Sequence, residues 1–209
     1  MIKGLYVITD EVLRPGRTHK MIAQAALEGG ARLIQMRDKS ISDRAFFESA
    51  MEIRRLCKDA GALFFVNDRI HIAAAVGADG VNIGQSDLPI GAVRKILGDK
   101  AIIGVSCDCV EQAMEAQNDG ADYIGYGPVF ATSTKLDTGP VSGLDILKCV
   151  CRDIKVPVVA IGGIDRTNID QIAASGTASA AVISAVVCAD DMKSATSELI
   201  RRYEAKRPK

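Results

Sequence analysis

Gln35, Arg37 and Lys39 occupy alternate positions of one short stretch, Gln35-Met-Arg-Asp-Lys39, directly after the apolar run Ala31-Arg-Leu-Ile34. Side chains of an extended strand alternate between faces, so this spacing sends an amide and two cations to the same side. An arginine fork beside a mobile lysine charge is chemistry suited to a phosphate or diphosphate. Polar residues return at the ends of later apolar runs: Asn67-Asp68, Gln85-Ser-Asp87, Ser106, Thr132 to Lys135, Gly162-Gly163 and Ser184. Arg37, Lys39, Asn67 and Lys135 are candidates to surround a diphosphate and stabilise it as it leaves. Asp68 and Asp87 offer two hard oxygen ligands of the kind Mg2+ takes, and Asp10 is a further carboxylate near them. Gly162-Gly163 and Ile183-Ser184 suggest a second anion site, because glycine lets a ligand approach backbone amides closely.

These residues need a scaffold that gathers strand ends. Apolar runs read as strands at Gly4 to Ile8, Ala31 to Ile34, Leu63 to Val66, Asp79 to Ile83, Ala101 to Val105, Tyr123 to Tyr126, Val156 to Ile161 and Ala180 to Ile183. Helices are expected between them: Thr18 to Glu28, Asp43 to Ala60 capped by Ser42, Arg69 to Val76, Ile90 to Leu97, Val110 to Asn118, Leu144 to Cys151 and Thr167 to Ala174. A closing helix covers Met192 to Tyr203, with Glu204 to Lys209 as a frayed tail. Gly30-Ala-Arg, Gly77-Ala-Asp and Gly120-Ala-Asp recur where a helix ends and a buried strand begins. Strict alternation without a linker predicts one (β/α)8 barrel spanning 1–209, with its chemistry at the carboxyl ends of the strands. A doubly wound open sheet is the competitor, but no early Gly-x-Gly-x-x-Gly is present.

Composition narrows the class. The 209 residues carry 26 Lys plus Arg and 26 Asp plus Glu, and 48% are apolar. A balanced charge gives no support for bulk binding to nucleic acid or membrane, so anion recognition must be local. No apolar run approaches membrane-spanning length, and a cytoplasmic location is the expectation. The six cysteines include Cys107-Asp-Cys109 and Cys149-Val-Cys151, neither with zinc or thioredoxin spacing, and the structural reading is preferred for all six. His19 and His71 fall in helix or connection regions, away from catalytic positions. Anion and metal handling with few proton-transfer groups favours a reaction in which diphosphate departs.

The ordered set Gln35-Met-Arg-Asp-Lys39, Asn67-Asp-Arg69, Gly84-Gln-Ser-Asp87, Gly104-Val-Ser106, Gly127-Pro-Val-Phe-Ala-Thr-Ser-Thr-Lys135 and Ala160-Ile-Gly-Gly-Ile164 resembles the thiamine-phosphate synthase family, from Tyr6 to Ser184. The resemblance implies a Mg2+-dependent transferase that joins 4-amino-5-hydroxymethyl-2-methylpyrimidine diphosphate to a thiazole phosphate. It further implies that Gln35 contacts the aminopyrimidine and Ser106 the same substrate. Met36, Arg37, Asp38 and Lys39 complete the first substrate-binding stretch. Arg37, Lys39, Asn67 and Lys135 would clamp the diphosphate, and Asp68 and Asp87 would hold Mg2+. Thr132, Ser133, Thr134, Gly163, Ile183 and Ser184 would form the thiazole-phosphate pocket. Arg37, Lys39, Ser106 and Lys135 are the catalytic candidates. A homo-oligomer is compatible with this reading.

Two departures stand out. Ala131 replaces a common proline, and Asn82 replaces a common histidine before Gly-Gln. A thiazole tautomerase is the enzyme alternative, opposed by Ser106-Cys-Asp-Cys109 in place of a histidine after the serine. An epimerase-type phosphate barrel would need acid-base residues that are not found. A non-catalytic barrel that binds phosphorylated metabolites is the alternative of a different class.

Overall fold

The computed structural model describes residues 1–132, 134 and 139–208. Eight parallel strands close into a barrel in sequential order: β1 (Gly4–Thr9), β2 (Leu33–Met36), β3 (Leu63–Asn67), β4 (Gly80–Ile83), β5 (Ile102–Cys107), β6 (Tyr123–Tyr126), β7 (Val158–Ala160) and β8 (Ser179–Val182). Around them lie α1 (His19–Glu28), α2 (Asp43–Asp59), α3 (Ile70–Val76), α4 (Ile90–Leu97), α5 (Val110–Asn118), α6 (Gly143–Asp153), α7 (Ile169–Ala174), α8 (Ser184–Val187) and α9 (Met192–Lys206). The expected (β/α)8 barrel is therefore the observed fold.

Strand alternation divides the apolar residues into two cores. Leu5, Val7, Ile34, Met36, Phe64, Val66, Ile124 and Tyr126 face outward, toward the helices. Tyr6, Ile8, Leu33, Phe65, Tyr123, Val159 and Ala181 fill the barrel interior. The rings of Tyr6, Phe65 and Tyr123 pack at centroid distances of 5.3, 5.9 and 6.2 Å in tilted or edge-on pairs, which aromatic quadrupoles favour over a sandwich. This cluster plugs the barrel below its mouth. A Cβ on Gly104 would fall on the Tyr123 ring, so the plug needs glycine there.

Each helix presents an apolar stripe to the outer core. In α2 the stripe is Phe46, Ala50, Ile53 and Cys57, and Ser42 caps the helix by accepting the Ala45 N–H. The Gly-Ala-Asp turns have a structural task. Asp79 accepts the Phe64 N–H at 2.8 Å and pairs with Arg54 of α2 at 2.9 Å. Asp122 accepts the Ile103 N–H at 2.7 Å and pairs with Arg94 of α4 at 2.8 Å. Each acid ties the start of the preceding strand to a covering helix.

The differences from expectation lie at element ends. Gln35 and Ser106 sit inside their strands rather than beyond them, and β7 is shorter than the expected run. The four-residue α8 was not anticipated, because one turn carries no periodic signal. Helix α9 continues through Lys206, past the expected end at Tyr203. Arg202 makes a two-pronged pair with Asp170 of α7, 2.9 Å on each arm, and Tyr203 donates to the Thr177 carbonyl at 2.7 Å. Those contacts hold the last turns against the body.

Candidate active site

A cavity of roughly 370 Å³ opens at the carboxyl ends of the strands, within the range of small-molecule sites. Gln35, Arg37, Lys39, Asn67, Asp68, Asp87, Ser106, Thr132, Thr134, Gly163, Ile183 and Ser184 all line it. Residues from seven stretches of sequence thus meet around one mouth. Ser133 and Lys135 lie outside the described residues.

Met36 and Asp38 do not line the cavity. The alternation that turns Gln35 inward turns Met36 outward, where it is fully buried in the outer core. Asp38 folds back on its own loop. Its Oδ1 accepts the Ser40 N–H and hydroxyl, both at 2.7 Å, and the Ile41 N–H at 3.1 Å. Its Oδ2 lies 3.1 Å from Nε2 of buried His19, whose Nδ1 meets the Thr9 hydroxyl at 2.7 Å. Burial alone would raise the Asp38 carboxyl, but the hydrogen bonds from Ser40, His19 and Ile41 outweigh it and hold it at about 2. In this structure Met36 packs in the outer core and the Asp38 side chain fixes its own loop.

Arg69 secures the same loop. It donates to the carbonyls of Ile41 at 2.7 Å and Asp38 at 3.2 Å, pairs with Asp43 at 2.7 Å, and lies 4.6 Å above the Phe46 ring. Arg37 is steadied from the other side: its guanidinium lies 3.6 Å from Asp10 Oδ2. Asp10 Oδ1 accepts the Val12 and Leu13 N–H groups at 2.8 and 3.1 Å. Asp10 therefore supports the arginine, not the acidic pair as anticipated.

The acidic pair is placed by backbone geometry. Asp68 adopts a left-handed conformation, φ 59°, which Asp tolerates better than most residues. Its N–H donates to the Asn82 carbonyl at 3.0 Å. Asp87 Oδ2 accepts the Gly84 N–H at 2.7 Å and folds the loop after β4 back toward Asp68. Burial first, then the Asp87 charge, push the Asp68 carboxyl above the ordinary range. Lys39, 3.8 Å away, and Arg37 pull it down. Two crowded carboxylates gain from a shared cation, and their oxygen donors suit a hard divalent ion. Among the described residues, no cluster of three or more His, Cys, Asp or Glu ligands forms.

On the opposite side of the mouth, Gly162 and Gly163 have φ of 101° and 63°. A Cβ on Gly163 would come within 2.5 Å of the Ala131 carbonyl oxygen, so only glycine lets this turn pass beneath the β6–α6 loop. Cys107 is buried, and burial foremost pushes its thiol up to about 12, which disfavours the thiolate. His71 is on the outer surface, paired with Asp43 at 3.0 Å.

Sequence reasoning missed the cavity floor. Gln35 Nε2 donates to the Tyr6 hydroxyl at 3.0 Å, Tyr6 and Tyr123 hydroxyls lie 3.2 Å apart, Tyr123 donates to Asn82 Oδ1 at 3.1 Å, and Asn82 Nδ2 donates to the Ser106 hydroxyl at 2.8 Å. Strand alternation would have turned both tyrosines inward, but nothing local links residues 117 positions apart.

The fold and mouth define a class: a (β/α)8 barrel built to hold phosphorylated small molecules at a cationic and acidic rim. A family model described as thiamine monophosphate synthase matches residues 5–186, and the chain belongs to that family. It is 48% identical to the thiamine-phosphate synthase of Methanospirillum hungatei over 193 residues, covering 92% of this chain and 94% of that one. It is 49% identical to the same-named protein of Methanocella arvoryzae over 195 residues, covering 93% and 92%. A solved thiamine phosphate pyrophosphorylase from Pyrococcus furiosus superposes with a TM-score of 0.90 at 42% identity, covering 98% of this chain and 97% of that one.

Proposed function

We propose that this protein is a thiamine-phosphate synthase that joins 4-amino-5-hydroxymethyl-2-methylpyrimidine diphosphate to a thiazole phosphate, releasing diphosphate. The observation that carries this reading is the meeting of Arg37, Lys39, Asn67, Asp68 and Asp87 on one side of a cavity whose other side holds Gly163 and Ser184. Two anion-binding poles flank an uncharged floor, which suits a diphosphate and a separate phosphate with a ring between them.

The reaction follows from what the walls supply. Gln35 and Ser106 hold the pyrimidine by hydrogen bonds from the floor. The bond between its exocyclic methylene carbon and the diphosphate oxygen breaks, and both electrons leave with the oxygen. Arg37 and Lys39 face the charge that grows there, with Asn67 as a neutral donor and Lys135 as a further cation. Preformed donors at such a position lower the barrier because they need not reorganise. The thiazole nitrogen, its phosphate received by the pocket of Thr132, Ser133, Thr134, Gly163, Ile183 and Ser184, gives its lone pair to the methylene cation. No general base is required, in keeping with two histidines that both lie outside the cavity. Asp68 and Asp87 would hold Mg2+. The ion would neutralise diphosphate charge.

The test is to mix purified protein, both substrates and Mg2+, and follow thiamine monophosphate and diphosphate. Equal amounts of the two products are expected. Tight binding of both substrates without product would favour the metabolite-binding barrel instead.

A further inference from the structure

Tyr6 and Tyr123 are each 1% exposed, yet their hydroxyls form the middle of an unbroken chain between two groups that face the cavity, Gln35 and Ser106. Each tyrosine or serine hydroxyl has one proton to give. Tyr123 gives its proton to Asn82 Oδ1, so the 3.2 Å contact between the tyrosines is made by the Tyr6 proton. Tyr6 then accepts from Gln35 Nε2, and the Gln35 carbonyl is left to accept from a ligand. At the far end Asn82 Nδ2 donates to Ser106, whose proton is left to donate to a ligand. If every link is kept, the one other arrangement reverses them all: both amides flip, Gln35 offers its amine and Ser106 only lone pairs. The first arrangement turns the Gln35 carbonyl and the Ser106 proton to the ligand, and the second turns the Gln35 amine there and spends the Ser106 proton on Asn82.

We propose that Tyr6 and Tyr123, acting through Asn82, are positioning residues that make the characters of Gln35 and Ser106 interdependent, so that the cavity reads its pyrimidine as one donor next to one acceptor. This rests on the reading above that Gln35 and Ser106 hold the pyrimidine. An aminopyrimidine presents an amine donor beside a ring-nitrogen acceptor and matches the arrangement observed. A 4-methoxy analogue presents two acceptors and asks for a donor where an intact chain holds the Gln35 carbonyl. Meeting that demand breaks a buried link, and an unmade buried hydrogen bond is disfavoured by a factor of about ten or more.

Tyr123→Phe and Tyr6→Phe remove one hydroxyl each and keep the packed rings. The experiment measures kcat/KM for the amino substrate and for its 4-methoxy analogue, both as diphosphates, in the natural protein and in each variant. Loss of a link frees Gln35 to flip without Ser106, so the ratio of amino to methoxy turnover should fall at least about tenfold in both variants. An unchanged ratio in a folded variant, even with both rates reduced, would overturn the proposal, because a purely structural defect lowers both alike. The steric burden of the methoxy group cancels in the comparison. Two variants on different strands guard against one failing to fold. Turnover of the amino substrate by the natural protein, in the same series, tests the underlying reading separately.

Discussion

Replacing Asp87 by Asn separates the electrostatics of the acidic pair from its geometry. The Asn carbonyl can still accept the Gly84 N–H that Asp87 takes at 2.7 Å, so the loop is retained and one charge is removed. Two like charges about 4 Å apart repel by about 4 kcal/mol at an effective dielectric of about 20. Lys39 and Arg37 oppose that repulsion, and the Asp68 side chain is 30% exposed, so a net effect of about 1 kcal/mol is the reasonable magnitude. Without metal, Asp87→Asn should therefore be more stable than the natural protein, with a melting temperature higher by about 2–4 °C for a chain of this size. The sign with pH follows. Asp68 titrates above its ordinary range, so the penalty is present where it is ionised and disappears as falling pH protonates it. The gap between the two proteins should close on acidification. Mg2+ should reverse their order: at about 100 times its dissociation constant it adds about 2.7 kcal/mol to the natural protein and much less to the variant. Thermal melts of chelator-treated protein, with and without Mg2+, measure all three effects. A lower metal-free melting temperature for Asp87→Asn, or an equal Mg2+ shift in both proteins, would refute the reasoning.

Arg37→Ala should reduce the single-turnover rate of diphosphate release about 100- to 1000-fold, the usual effect of removing one donor to a growing anion; an unchanged rate counts against its role. Gly163→Ala places a methyl group against the Ala131 carbonyl at a residue with φ 63°, so stability should fall by about 1–3 kcal/mol in denaturant titrations. In the same variant KM for the thiazole phosphate should rise more than KM for the pyrimidine diphosphate. Asp38 is held at about 2 in the folded protein, below its unfolded value, so its stabilisation is full above about pH 4 and is lost as pH falls toward 2. Asp38→Asn should flatten that part of the stability curve by about 1–2 kcal/mol after allowance for solvent at the loop's edge, as read by urea melts across the range.

Much of this site was legible because strands have a fixed period. The spacing of Gln35, Arg37 and Lys39 placed all three on one face, and all three do line the cavity, Gln35 from within β2 and the two cations from just past its end. The same rule sends the Met36 side chain to the opposite face, into the outer core. Ser42 was readable as a cap because its signal is local. What escaped depends on partners distant in sequence. Asp10 looked like part of the acidic cluster, yet it braces Arg37. Arg69, the last residue of the Asn67-Asp-Arg69 motif, fastens the β2–α2 loop. The joining of Tyr6, Tyr123 and Asn82 requires three strands to be brought around the barrel. The end of α9 was misjudged for a related reason: its charged sequence looks solvated, and its anchors at Asp170 and Thr177 lie outside the helix.

On this reading the cationic residues and the acidic pair serve one diphosphate together with one divalent ion. Calorimetric titration of the natural protein with inorganic diphosphate at several Mg2+ concentrations, and with Mg2+ at several diphosphate concentrations, tests it most directly. Each ligand should raise the affinity of the other by the same factor, at least about tenfold after correction for their association in solution. Independent binding of the two at the mouth, with no such reciprocal gain, would contradict the account.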